Sequence, residues 1–321
     1  MLPASELLPL LDHLAAGAPA DREWREWRIE HIAGGANNLI YRATSAAHDL
    51  AIKWTIRDAR DRAGREYAAL AALREAGLDL APAPLWLERE RYPQPVVVQS
   101  WLAGDVGATP PVSDAEWQAL LDHYLGIHTL TPAHTSLPIQ PAVLNMHNAG
   151  IGLELIRQQR ALLPAPHQPA DLRALVNLVE QCTLPIWPAP SLTLCHVDPN
   201  TRNIIRRPGG WASVDWENSG WGDPAFEIAD LMTHPAYAAV PPKRWEWLIS
   251  AYCTARGDPG GEQRIRVYAM LMLVWWVARL ARTLYEVPRG GDQRLAARPD
   301  GWQAETEALY QRYLALARAA A

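Results

Sequence analysis

Asp198, Asn203 and Asp215 are the residues whose types and spacing could do chemistry in this 321-residue sequence. They lie within SLTLCHVDPNTRNIIRRPGGWASVDWEN, residues 191–218. SLTLC reads as a short strand ending in the loop HVDPNTRN, and NIIRR and WASVD read as two arms of a hairpin turning through Pro208-Gly209-Gly210. Counted outward from Gly209, Asn203 is six residues back and Asp215 six forward, so the two should face each other at the open end. Opposed residues of an antiparallel pair hold their Cβ atoms about 4.5–5.5 Å apart. Two hard oxygen ligands at that separation can share one Mg²⁺. Asp198, five residues before Asn203, sits in the loop that feeds the hairpin and can accept the proton of a substrate hydroxyl. Phosphoryl transfer needs little more than positioning, charge neutralisation and a base on the nucleophile. D-x-x-x-x-N alone matches by chance in many sequences; H-x-D-x-x-x-x-N followed by two arms ending in Asp is far more demanding.

That chemistry makes separate demands upstream: a glycine turn between strands, a strand lysine and a glutamate on the next helix. Gly34 and Gly35, followed by Asn37, fall between WRIEHIA and LIYRATS, where backbone N–H groups can approach phosphate oxygens. Lys53 lies in LAIKW, which reads as a third strand, with Ile52 and Trp54 on the opposite face. Glu66 shares a helix face with Leu70 and Leu73. A carboxylate on an apolar stripe needs a partner, and Lys53 is the expected one. Its ammonium would then reach the α- and β-phosphates of a nucleotide.

Residues 24–55 therefore read as a three-stranded antiparallel unit, 57–76 as a helix closed by Gly77, and PVVVQSWL (95–102) as a further strand. GDVGATPPVSD marks a linker. Helices follow over 114–128, 151–163 and 170–182, and again from Pro224 onward. The plan is a two-lobed α+β fold: residues 1–102 form the nucleotide lobe and 103–321 a mostly helical lobe. MLPASELLPLLDHLAAG carries Glu6 and Asp12 and lacks the basic start of a secretory signal, so it reads as an amphipathic helix. The run VYAMLMLVWWVARL (267–280) is too short to span a bilayer and reads as a core helix, so no membrane partner is expected. A net charge of -5 excludes the electrostatic footprint of a nucleic-acid binder. Cys182, Cys195 and Cys253 show no paired spacing and read as reduced thiols of a cytoplasmic protein, monomeric or homodimeric.

HVDPNTRN followed by VDWENSGWGDPAFEIADL resembles the core of the aminoglycoside phosphotransferase family, which includes choline-kinase-like enzymes. The resemblance implies the bilobal protein-kinase-like fold and an ATP- and Mg²⁺-dependent transfer of phosphate to a small-molecule hydroxyl, with GTP also open. It implies Asp198 as catalytic base, Asn203 and Asp215 as metal ligands, and His196 as a brace for the loop. Asp223 and Asp230 would support the fold, and backbone groups near Ser100 and Leu102 would meet the adenine edge. Val197 stands where the family often has Gly, and Trp216-Glu217 replaces the Phe-Gly of protein kinases. With no Ala-Pro-Glu downstream, these departures favour a small-molecule kinase.

The remaining histidines carry less. His123 and His128 are spaced poorly for a shared metal, and His128 reads as a structural residue at a helix end. His147 and Asn148 mark a turn, and Trp275-Trp276 reads as core before substrate wall. The acceptor should bind against the C-terminal helices. From Lys243 to Ala321 twelve Lys/Arg stand against eight Asp/Glu, a poor match for a polycationic aminoglycoside and a better one for a less charged, partly apolar alcohol. Two other functions fit parts of the pattern. A non-catalytic nucleotide-binding regulator of the same fold would be expected to have lost one of Lys53, Asp198, Asn203 or Asp215. A metal hydrolase using His196, Asp198 and Asp215 would need more histidines nearby.

Overall fold

The computed structural model describes residues 3–32, 38–291 and 298–321. Gly34, Gly35 and Asn37 lie outside the described residues. Chain order begins α1 (Ala4–Ala16), β1 (Arg22–Trp24), β2 (Trp27–Ile32), β3 (Leu39–Thr44), β4 (Asp49–Trp54), α2 (Arg62–Glu75), β5 (Pro84–Glu88) and β6 (Val96–Ser100). These strands form one antiparallel sheet in the order β1-β2-β3-β4-β6-β5. Lys53 therefore lies in the fourth strand, not the third. The sequence pattern hides both edge strands: the three residues of β1 are too few to show alternation, and a proline opens β5. An edge tolerates proline because one side of the strand needs no ladder donor.

Leu7, Leu10, Leu11 and Leu14 recur at helical intervals and bury one face of α1 against Trp27, Ile29, Tyr41, Ile52 and Val98. The sheet's other face meets α2. That helix begins at Arg62, later than its apolar periodicity implies. The Asp58 carboxylate accepts Arg60 N–H and Arg62 Nε, which holds the preceding residues in a turn. Ala69, Leu70 and Leu73 of α2 also pack against Ile127, Leu130, Leu194 and Trp216, so the helix joins the two halves of the molecule.

The rest runs β7 (Asp105–Val106), α3 (Asp114–Ile127), α4 (Ala149–Ala161), α5 (Ala170–Gln181), β8 (Thr193–Cys195), β9 (Ile204–Arg206), β10 (Ala212–Ser213), β11 (Gly220–Gly222), α6 (Pro224–Thr233), α7 (Pro242–Arg256), α8 (Gly261–Glu286) and α9 (Trp302–Ala320). The expected linker thus contributes β7, which pairs with β9. Gly107 allows the approach, since a Cβ there would fall 2.8 Å from Thr201 O. The hairpin register pairs Ser213 with Ile204, so Asn203 faces Val214 and accepts its N–H at 2.9 Å. The count from Gly209 is one residue out, because the observed register is centred between Pro208 and Gly209 and not on that glycine. Helix α8 is much longer than its apolar run, and by length and composition it could cross a membrane. Half of that stretch is buried, with Ile265, Leu271, Val274 and Val277 in the core that α4, α6 and α9 also build.

Candidate active site

Lys53 is 3% exposed and its ammonium is held by three carboxylates. Glu66 Oε2 lies 2.8 Å away, Asp215 Oδ1 accepts a short bond, and Glu217 Oε2 stands at 3.7 Å. Burial alone would discharge the lysine; Asp215 and then Glu66 outweigh it and keep the ammonium charged. Glu66 is pushed up to about 7 by burial, with Asp215 and Glu217 adding repulsion against the pull of Lys53. Sequence reading missed Glu217. It also bonds Arg62 and accepts Asn38 Nδ2 at 2.9 Å, so one carboxylate ties β4, α2 and the start of β3 to the Asp215 segment. Its position two residues beyond a candidate metal ligand was the available signal.

Asp198 opens onto the central cleft. Burial by the surrounding protein, and next the charge of Asp215, push its carboxyl up to about 7. Asn203 donates Nδ2 to Asp198 O at 3.3 Å and so pins the loop's two ends together. Asp215 adopts φ 67, which swings its side chain off the hairpin line toward Lys53. The donor set fits a divalent cation. Asn203 and Asp215 supply hard oxygens, and carboxylates outnumber the cationic groups that meet them.

Val197 has φ 55, where a β-branched residue is strained. Glu227 of α6 holds that backbone in place, accepting His196 N at 2.6 Å and Val197 N at 2.8 Å. Its other oxygen lies 2.6 Å from His128 Nε2, whose Nδ1 meets Tyr252 OH at 2.8 Å. Although burial raises a carboxyl, the His128 contact and the Val197 N–H hold Glu227 below its ordinary range. Sequence reading missed Glu227, although its helical spacing to Asp230 and His234 marks one face. Glu227→Gln would aim an NH₂ at donors, and it is expected to cost about 1–3 kcal/mol of stability, read by urea denaturation, and to lower kcat with little change in KM for nucleotide.

His196 braces the loop through Nε2 to Val214 O at 2.8 Å and an edge-on contact with Trp216. Asp223 caps α6 by accepting Ala225 N at 2.9 Å and also pairs with Arg264. Asp230 lines the cleft, and burial, then the charge of Asp198, push its carboxyl well up. Ser100 N donates to Ala83 O at 2.9 Å and its Oγ accepts Ala83 N, so neither group is available to a base. Leu102 N–H has no backbone acceptor among the described residues.

A family model, that of the phosphotransferase enzyme family, matches residues 28–268. Among solved structures, a choline/ethanolamine kinase family protein from Mesorhizobium loti is 20% identical with a TM-score of 0.58, covering 98% of this chain and 97% of its own. Spectinomycin phosphotransferase, solved with ADP and spectinomycin, is 13% identical with a TM-score of 0.62 and 98% coverage of both chains. Choline kinase from Streptococcus pneumoniae is 16% identical with a TM-score of 0.60, over 97% of this chain and 98% of that one. No curated protein sequence matches.

Proposed function

The chain belongs to the phosphotransferase enzyme family, and from that premise we propose that this small-molecule kinase transfers the γ-phosphoryl group of ATP to a hydroxyl held beside Asp198. The observation that carries this reading is the convergence of Lys53, Glu66 and Asp215 from both halves of the fold, with Lys53–Glu66 at 2.8 Å and Asp215 on the hairpin that follows the Asp198 loop. In this reading residues 1–102 bind the nucleotide and 103–321 the acceptor. Leu102 meets the base edge, and Gly34, Gly35 and Asn37 cover the phosphates. Lys53 neutralises α- and β-phosphate oxygens while Glu66 fixes its direction. Asp198 orients the acceptor hydroxyl and takes its proton as the oxygen bonds to the γ-phosphorus, and the bond to the β-phosphate oxygen breaks to release ADP. Asn203 and Asp215 would hold Mg²⁺, which when bound neutralises phosphate charge. Three free cysteines suit a cytoplasmic setting.

Incubation with Mg-ATP and a panel of alcohols tests it, by ADP release and product mass. Transfer should appear with at least one acceptor, and Asp215→Ala should weaken the apparent affinity for Mg²⁺ by about 10-fold or more. An unchanged Mg²⁺ dependence in that variant would count against the assigned ligands. Because Asp198 must be ionised to take a proton and burial raises its carboxyl, kcat should rise with pH and level off on the alkaline side. A rise that persists unchanged in Asp198→Asn would remove Asp198 from that role.

A further inference from the structure

The cleft that contains Asp198 has a volume of about 1070 Å³, room for a sizeable ligand beyond the transferred phosphate. Helix α8 makes one wall. Trp275, Arg279, Arg282 and Glu286 recur at three- and four-residue intervals, so they stack along one face. The wall changes character along its length. Trp276 stands 6.1 Å from the ring of His234, which follows the helix that carries Asp230. At about 1.5 Å of rise per residue, Arg279 lies roughly 4.5 Å and Arg282 roughly 9 Å further along the axis. Arg289 extends the same lining.

The two ends of the cleft differ in how their charge is balanced. Near the catalytic loop, Asp58 holds Arg60 at 3.1 Å and Arg62 at 2.9 Å, so those guanidiniums already have an acid. At the far end Glu286 is the one acid among the described lining residues, beside both Arg282 and Arg289. It takes Arg282 Nε at 2.7 Å, a single bond that leaves Nη1 and Nη2 of the same lining guanidinium outside that contact. Arg289 rests 4.2 Å from the Tyr285 ring and donates Nη1 to Tyr285 O, which fixes its position without cancelling its charge. A planar guanidinium matches carboxylate or phosphate oxygens two at a time. A polycation placed here would meet like charge, and the mismatch would be costly in a cleft partly closed to water.

We propose that the acceptor is an alcohol that carries an anionic group, carboxylate or phosphate, held by Arg282 and Arg289 while the hydroxyl lies past Trp275 and Trp276 at Asp198. The proposal rests on the phosphotransferase reading of the same cleft and names its substrate class. It also sharpens the expectation of a less charged, partly apolar alcohol, since among the described lining residues at the far end Arg282 and Arg289 stand against Glu286.

Calorimetric titration of the protein saturated with Mg-ADP tests it with four ligands on one skeleton: 4-(hydroxymethyl)cyclohexanecarboxylate, its primary amide, the phosphomonoester of 1,4-cyclohexanedimethanol, and 4-(aminomethyl)cyclohexylmethanol. At least one anion should bind tenfold or more tightly than the ammonium compound, and the stronger of the two identifies the group. Arg282→Gln with Arg289→Gln should abolish that preference. Arg289→Glu, at an exposed position that the fold does not depend on, should shift it toward the ammonium ligand. Equal affinity for all four, no measurable binding by either anion, or tightest binding of the ammonium compound overturns the proposal. So does an anion preference that survives the double substitution. Binding needs no transfer, so the two readings fail separately: anion preference without any phosphorylated product sinks the kinase reading alone. Phosphorylation confined to ammonium-bearing alcohols sinks this one alone.

Discussion

Asp198→Asn should lower kcat by a factor of about 10²–10⁴, the range lost with a positioned general base, and at the same time raise the melting temperature of the nucleotide-free protein. The two effects share a cause. Burial and the charge of Asp215 push the Asp198 carboxyl up to about 7, so the folded state resists its ionisation more than the unfolded chain does. For a carboxyl raised in this way, the favourable contribution is complete below the unfolded value and is lost as pH climbs through the folded one. Wild type should therefore lose stability relative to the Asp198→Asn variant from about pH 4 to about pH 7, with the gap constant above that. Thermal melts in EDTA on either side of that window check the sign. A variant that is less stable than wild type on the alkaline side, or that keeps full phosphotransferase activity, would contradict the role given to this group.

Lys53→Met should abolish transfer and destabilise the fold by about 3–5 kcal/mol, because removing one partner of a buried ion cluster leaves uncompensated charge. Here the stranded groups are Glu66 and Asp215, with Glu217 at 3.7 Å retaining Arg62. Glu66 is fully buried and its Oε1 lacks a hydrogen-bond partner among the described residues, so it suffers most. Adding Glu66→Leu should recover a large part of the lost stability, as an apolar pair of similar volume replaces an orphaned carboxylate, while leaving the enzyme inactive. Chemical denaturation of the two variants separates this account from simple loss of packing. If the second substitution lowers stability further, the lysine's importance is steric and not electrostatic.

The catalytic hairpin was legible from the sequence because its parts are close in the chain. Asp198, Asn203 and Asp215 fall within 18 residues, and a turn between two short arms brings them near each other whatever the rest of the protein does. The Lys53–Glu66 pair was legible for a similar reason. Strand and helix periods decide which side chains share a face, and a glutamate on the apolar stripe of α2 implied a buried cation nearby. Even so, local counting has limited resolution: the hairpin register differs from the count by one residue, and Ser100 bonds Ala83.

Tertiary structure alone decided the rest. Glu217 reaches Arg62 and Asn38, separated from it by 155 and 179 residues, and Glu227 reaches His128 across 99. No periodicity encodes such contacts, because they depend on how α2, α3 and the segments around β8 and Trp216 meet, which burial of Leu70, Leu73, Ile127, Leu194 and Trp216 in a common core settles. The acceptor cleft is the clearest case. The basic excess of the C-terminal region was countable, but charge counted along a chain is an average over all directions. Only the packing of α8 against α4 and α6 determined that Arg279, Arg282 and Arg289 line the same cavity as Asp198. The phosphoryl-transfer chemistry was therefore written in short-range spacing, whereas the charge required of its acceptor emerges from long-range packing.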